Sequence, residues 1–232
     1  MINNFKRILF LFAHPDDETL GAGGTINLFN RKKKDVYVAL SSTGINSRKN
    51  KISKNIVNQN LKKLRKDTFK ALKTIGVNQN KIFFGDFLDN ENDSTTLLSL
   101  IHWVEDLVNK IKPDTIFTHY KYCTNIDHKY LFNAAVVACR PLEEKKINII
   151  SSEIPSSTGY DTPAFEPNFY IALKKKDIVN KINAMQKYST EKRFYPHPRS
   201  PQSLEAYAKV RGVNSYNHYA EAFKIHQIFA DD

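Results

Sequence analysis

Two polar clusters in this chain have the residue types needed to hold a cation and activate water: His14-Pro15-Asp16-Asp17-Glu18 and Asn125-Ile126-Asp127-His128. His14 and Asp17 are three positions apart on a turn, close enough to share one ion, and Asp16 between them faces another direction. His128, arriving from a different strand end, supplies a third ligand and completes a two-histidine, one-carboxylate set with positions open to water. Zinc suits that set, and so does ferrous iron. Asp127 stands where an outer hydrogen bond would orient a ligand. The plainer reading of the first cluster is a helix start, where carboxylates favour the positive end of the dipole. A second polar cluster at another strand end favours a site instead.

The elements that must position these residues are legible in the apolar pattern. Ile8 to Ala13 is an uninterrupted apolar run that stops at His14, which reads as a buried parallel strand with the polar cluster at its carboxyl end, where open α/β sheets place ligands. Thr19–Asn30 reads as a helix and Asp35–Ser42 as a second strand, ending in the turn-rich Thr43-Gly44-Ile45-Asn46. A helix follows over Asn55–Ile75, with Val57, Leu61, Leu64, Leu72 and Ile75 as its apolar stripe and Gly76 as its stop. Lys81–Phe84 is a short third strand. A helix capped by Ser94 runs to Ile111, and Thr115–Thr118 is a fourth strand closed by His119. Asp127–Cys139 is helical, Ile147–Ser151 and Phe169–Leu173 are strands, and the chain beyond Leu173 reads as mostly helical. The fold expected is α/β and Rossmann-like: a mainly parallel sheet with helices on both faces. Residues 1–232 read as a single domain, whose C-terminal helical segment, about 174–232, packs on the sheet and helps to form the substrate pocket.

Composition narrows the function classes. The 232 residues are 41% apolar and 25% charged, an ordinary globular balance. Lys and Arg outnumber Asp and Glu by 35 to 24, in short clusters such as Arg31 to Lys34 and Lys174 to Lys176 that read as solvated surface. No basic helix, zinc-finger spacing or RNA-binding signature accompanies the charge, so nucleic acid is not an expected partner. The apolar run before His14 is too short for a signal peptide or a membrane span. Cys123 and Cys139 match neither a disulfide framework nor a CxxC site, which places the protein in the reducing cytoplasm. Gly21-Ala22-Gly23-Gly24 is not a GxGxxG fingerprint, and the acids before it would repel pyrophosphate.

The AHPDDE strand end, the later NIDH, and a closing segment with PHPRS, RG and AEAF resemble the PIG-L/LmbE-like zinc-dependent N-deacetylases over about residues 7–229. That resemblance implies removal of an acetyl group from the amino group of an N-acetylated sugar, nucleotide-sugar or other glycoconjugate. Carried over by position, it makes His14, Asp17 and His128 the zinc ligands and Asp16 the general base. Asp127 joins the catalytic set beside its metal ligand. Many members read HxDH in the second motif, and here Asn125 replaces the first histidine. Asparagine donates a hydrogen bond to an oxyanion but cannot shuttle a proton, so the proton donor becomes an open assignment, with His119 the nearest substitute in sequence. Cys123 stands where an aspartate is often found. His197, held between Pro196 and Pro198, reads as a loop side chain presented to substrate. Arg199 and Arg211 are candidates to clamp a substrate phosphate or carboxylate. Hydrolysis of a thiol-conjugate or other non-sugar amide, and a catalytically impaired binding relative, are the alternative functions. Assembly into a homo-oligomer fits the composition as well as a monomer does. His102, His218 and His226 read as helical residues without a site role, and Trp103 as a core anchor.

Overall fold

Apolar side chains on both faces of the first strand decide the architecture. β1 (Arg7–Phe12) sends Ile8, Phe10 and Phe12 into one core and Leu9 and Leu11 into another, all of them fully buried. A strand buries both faces in the interior of a sheet with helices on each side. The computed structural model describes residues 2–42, 54–89, 96–142 and 146–230. With β2 (Asp35–Ser42), β3 (Ile82–Phe87), β4 (Thr115–His119), β5 (Asn148–Ser152), β6 (Phe169–Ala172) and β7 (Ala220–Gln227), the strands form a seven-stranded sheet in the order β3-β2-β1-β4-β5-β7-β6. β1 to β5 pair in parallel, and β7 runs antiparallel to both of its neighbours, β5 and β6. The core that contains Phe10 is covered by α1 (Asp17–Arg31), α2 (Lys54–Thr74), α5 (Lys175–Met185) and α6 (Pro201–Asn214). On the opposite face α3 (Leu97–Ile111) and α4 (Ile126–Ala138) cover Leu9 and Leu11. The expected Rossmann-like α/β fold, mainly parallel with helices on both faces, is the one adopted.

The chain leaves β1 for β2 and β3 on one side and returns to β4 and β5 on the other. The carboxyl ends of β1 and β4 therefore flank the topological switch point, the crevice in which such sheets bind ligands. Both polar clusters open onto it: α1 starts at Asp17, and α4 starts at Ile126.

Most expected elements lie within a few residues of their predicted bounds, but the C-terminal part does not follow its helical pattern. After α6 the chain ends in β7, which places His226 on a strand and His218 in the turn before it. The strand pattern is masked by Glu221, a charged residue that is 5% exposed on β7. Its burial is possible because Lys181 of α5 reaches it, Nζ to Oε1 at 2.7 Å, while the Gly24 and Thr25 amides donate to Oε1 and Oε2 at 2.9 and 2.7 Å. Lys181 also donates to the Leu20 carbonyl of α1 at 2.8 Å. This ion pair ties α1, α5 and β7 together at one buried point.

The glycines of α1 serve the same packing. A Cβ on Gly24 would stand 2.6 Å from Leu173 Cδ1, and one on Gly21 2.9 Å from Ile154 Cδ1. They are contact glycines, where the helix closes onto the sheet. The α3 cap is Thr96, whose hydroxyl accepts the Ser99 amide, while the expected cap Ser94 lies outside the described residues, as do the Thr43 to Asn46 turn and the Val57 side chain. Trp103 is half-buried at the margin of its core, edge-on to Phe87.

Removing Glu221 leaves the Lys181 ammonium buried without its counter-charge and takes away an acceptor of the Gly24 and Thr25 amides. Glu221→Ala is expected to lower unfolding free energy by about 3–5 kcal/mol, read from urea midpoints; a loss within experimental error of zero would show that the pair does not anchor α1.

Candidate metal centre and catalytic cavity

His14 follows β1 by two residues, and His128 sits in the first turn of α4, so the switch point brings together side chains 114 positions apart. Their ring nitrogens meet over one carboxylate oxygen. His14 Nδ1 is 3.1 Å from Asp17 Oδ2, His128 Nε2 is 3.1 Å from the same oxygen, and the two nitrogens are 3.2 Å apart. Three donor atoms about 2.0–2.1 Å from a shared tetrahedral ion would stand about 3.3 Å from one another. The donors are also of the right chemical kind, so His14, Asp17 and His128 fit the implied metal.

The far nitrogen of each histidine is held. His14 Nε2 is 2.9 Å from Asp127 Oδ2 and 3.1 Å from Asp89 Oδ1, and His128 Nδ1 is 3.1 Å from Cys123 Sγ. Hydrogen bonds of this kind fix which nitrogen faces a metal. Asp127, the residue before His128, therefore contacts the other histidine, His14, and it is fully buried. With Asp89 and His14 it forms a second close group of ligand-type atoms, built on the opposite nitrogen of the same ring.

These contacts govern the charge states. Burial pulls His128 down, but the Asp17 carboxylate and the Cys123 contact outweigh it, and its pKa is pushed up to about 9. Burial also opposes charge on His14, yet hydrogen bonds to Asp127, Asp17 and Asp89 hold its pKa well above the usual histidine value. Burial would raise Asp17, but the His128 and His14 rings hold it well below the usual carboxylate range. Asp16 differs: burial pushes it up to about 8, with Arg199 pulling the other way and Asp17 adding to the rise.

Asp16 and Arg199 form an ion pair, Oδ2 to Nε at 2.7 Å, inside the cavity that His14, Asp17 and His128 also line. Arg199 is therefore partnered by the protein's own carboxylate. His197 reaches the same cavity, and its Nδ1 accepts the Arg199 amide at 3.1 Å, which puts the ring proton on Nε2. Asn125 lines the cavity too, with its side-chain oxygen occupied as the cap of α4, accepting the Asp127 and His128 amides at 2.9 and 3.4 Å.

Two expected site residues are placed elsewhere. His119 is fully buried and stacked on His128, ring centroids 3.7 Å apart, and its Nε2 accepts the Ala13 amide at 2.8 Å. Burial, with the neighbouring His128 adding to it, keeps His119 well below its usual pKa, and its ring does not line the cavity. Arg211 does not line the cavity: its guanidinium grips both oxygens of Glu153 at 2.7 and 2.6 Å. Sequence reasoning missed Asp89, Glu191 and Ser157, all cavity-lining, and the contact of Cys123 with His128. The strand-end rule that selects His14 and His128 points to Asp89 as well, two residues beyond β3. Glu191 and Ser157 lie in turns with no local signal.

A family model described as PIG-L, GlcNAc-PI de-N-acetylase, matches residues 9–139. The uncharacterized deacetylase YaiS of Escherichia coli (strain K12) is 27% identical over 199 residues, which is 81% of this chain and 93% of that protein. The solved N,N'-diacetylchitobiose deacetylase from Pyrococcus horikoshii, complexed with its inhibitor MPG, has a TM-score of 0.78 at 17% identity over 97% of this chain and 85% of its own. A hydratase is similar in fold as well: GalB, the 4-carboxy-2-hydroxymuconate hydratase of Pseudomonas putida KT2440, has a TM-score of 0.74 at 17% identity, covering 98% of each chain.

The raised histidines set a pH dependence. The pKa of His14 is raised and that of His128 is pushed up to about 9, and a metal binds only the neutral rings, so it competes with protons for them. Zinc binding is therefore expected to release one to two protons at about pH 7 and to tighten roughly tenfold or more per pH unit up to about pH 9. Calorimetry in buffers of different ionisation enthalpy measures this, and pH-independent binding without proton release would show that the ion binds elsewhere.

Proposed function

Because the chain belongs to the PIG-L, GlcNAc-PI de-N-acetylase, family, we propose that it is a metal-dependent hydrolase that removes the acetyl group from the amino group of an N-acetylated sugar or sugar conjugate. The observation that carries this reading is the meeting of His14 Nδ1, Asp17 Oδ2 and His128 Nε2 within 3.1–3.2 Å of one another, in a cavity that Asp16 also lines. When bound by these three residues, zinc or ferrous iron supplies a Lewis acid that acidifies water and polarises an amide carbonyl.

The chain's own residues supply the proton movements. With Asp16 Oδ2 held by Arg199, Oδ1 takes the proton from the attacking water. The oxygen adds to the amide carbon, the C–N bond breaks, and the proton leaves with the amine, giving acetate and a free amino sugar. A carboxyl raised to about 8 holds a proton between these steps better than an exposed aspartate. In this reading Asp16 serves first as base and then as acid, the second role being the one that the Asn125 replacement leaves open. The Nε2–H of His197 donates to the developing oxyanion, in the part that hydrogen-bond donors play in acyl transfer.

The polar cavity, about 280 Å³, supports a compact polar substrate. That volume lies at the small end for ligand pockets. It suits one sugar ring with the acetamido group inward and the remainder of a conjugate outside. Glu191 and Ser156 line it as partners for sugar hydroxyls. The C-terminal segment takes part through Arg199 and His197, in a single domain. Among the described residues no helix is long and apolar enough to cross a membrane.

Asp16→Asn is expected to keep its metal and lose at least about a hundredfold in kcat, and His128→Ala to lose bound metal; an Asp16→Asn enzyme of wild-type rate would remove Asp16 from the mechanism. Acetate release by the metal-loaded protein, screened over N-acetyl sugars, their nucleotide conjugates, thiol conjugates and plain N-acetyl amines, tests the substrate class. Turnover confined to the non-sugar amides would overturn the sugar assignment.

A further inference from the structure

Asp16 occupies a backbone conformation that its residue type does not favour. Its φ of 111° lies in the left-handed region although it is not glycine, and it sits at the N-cap of α1 without capping the helix. An N-cap aspartate ordinarily has an extended backbone and accepts a helix amide. Here the side chain points instead to Arg199 and the cavity. Strain of this kind persists only where surrounding contacts impose it.

Those contacts are buried and specific. The Asp16 amide donates to Glu18 Oε2 at 3.0 Å, and Glu18 Oε1 accepts the Tyr188 hydroxyl at 2.7 Å and the Thr19 hydroxyl at 2.6 Å. Glu18 and Tyr188 are both fully buried. Neither lines the cavity, and no step of the reaction uses either one. Tyr188 also anchors the turn that follows α5: its carbonyl accepts the Glu191 and Lys192 amides at 3.1 and 2.9 Å. That turn goes on to carry His197 and Arg199 into the cavity.

We propose that Glu18 and Tyr188 are positioning residues that hold Asp16 in its working orientation, so that the 188–199 segment grips Asp16 twice. Through Tyr188 and Glu18 it fixes the amide; through Arg199 it fixes the carboxylate. The strand end supplies the base, and the C-terminal segment aims it. This inference rests on Asp16 being the base.

The test compares the metal-loaded wild type with Tyr188→Phe, Glu18→Gln and Asp16→Asn, using acetate release, metal content and the ¹⁵N-resolved amide signal of Asp16. Tyr188→Phe removes one hydroxyl and keeps the ring. It is expected to lower kcat about tenfold or more with KM within about twofold, since small misplacements of a reacting group are costly. Metal content stays unchanged, and the Asp16 amide signal shifts and exchanges faster. Glu18→Gln is expected to act in the same direction and more strongly. A packing role alone would lower thermal stability and leave kcat and the Asp16 amide as they were. A folded, metal-replete Tyr188→Phe protein with wild-type kcat and an unmoved Asp16 amide, beside an inactive Asp16→Asn, overturns the positioning role and leaves the proposed function standing. Wild-type turnover by Asp16→Asn overturns both.

Discussion

One oxygen organises this molecule. Asp17 Oδ2 accepts the His14 amide at 3.0 Å and stands 3.1 Å from both His14 Nδ1 and His128 Nε2. To satisfy it, the turn after β1 must fold back on itself and α4 must begin where β4 delivers it. A parallel sheet whose connections diverge between β1 and β4 provides that place, with the first residues of two helices facing one crevice. Such a carboxylate would cost several kcal/mol to bury alone. It is stable because two imidazoles, themselves backed by Asp127, Asp89 and Cys123, supply the opposing charge.

The C-terminal third depends on this centre and serves it. α5 lies against α1 and α2, and β7 inserts between β5 and β6. The Lys181–Glu221 pair fixes both to the backbone of α1 in a part of the helix where glycines admit close contact. With α1 immobilised, the residues just before it are held as well. The turn between α5 and α6 can then bring Arg199 across to Asp16 with little freedom to misplace it. GalB shows that this fold carries a different reaction in another protein, so the scaffold does not determine the chemistry; the side chains at the crevice do.

What could be read in the sequence follows the range of the interaction. The ends of β1, β2 and β4 are local events, an apolar run meeting a polar residue, and they are legible without any distant contact. His14, Asp17 and His128 are legible for the same reason, because ligand-type residues cluster at strand ends. β7 was hidden because the residue that breaks its apolar pattern, Glu221, is neutralised by Lys181, 40 positions earlier in the chain. Arg199 reads as a free substrate clamp until its partner Asp16, 183 positions away, is seen beside it. His119 reads as a possible acid because nothing in its sequence reveals that the Ala13 amide uses its Nε2. Side chains can be assigned roles from sequence only where their partners are near in the chain.

The charge balance at the centre sets the terms on which the cluster would take up a cation. Around the two histidines stand Asp17, Asp89 and Asp127. Burial opposes charge on both rings, but Asp127, Asp17 and Asp89 at His14, and Asp17 with Cys123 at His128, outweigh it and raise both pKa values. The field that raises the histidines is one that would also favour a cation. Cys123 at His128 makes the two rings unequal. His14 is backed by two carboxylates and His128 by a sulfur, a weaker hydrogen-bond acceptor. Of the two, His128 is therefore the ring whose charge depends most on Asp17.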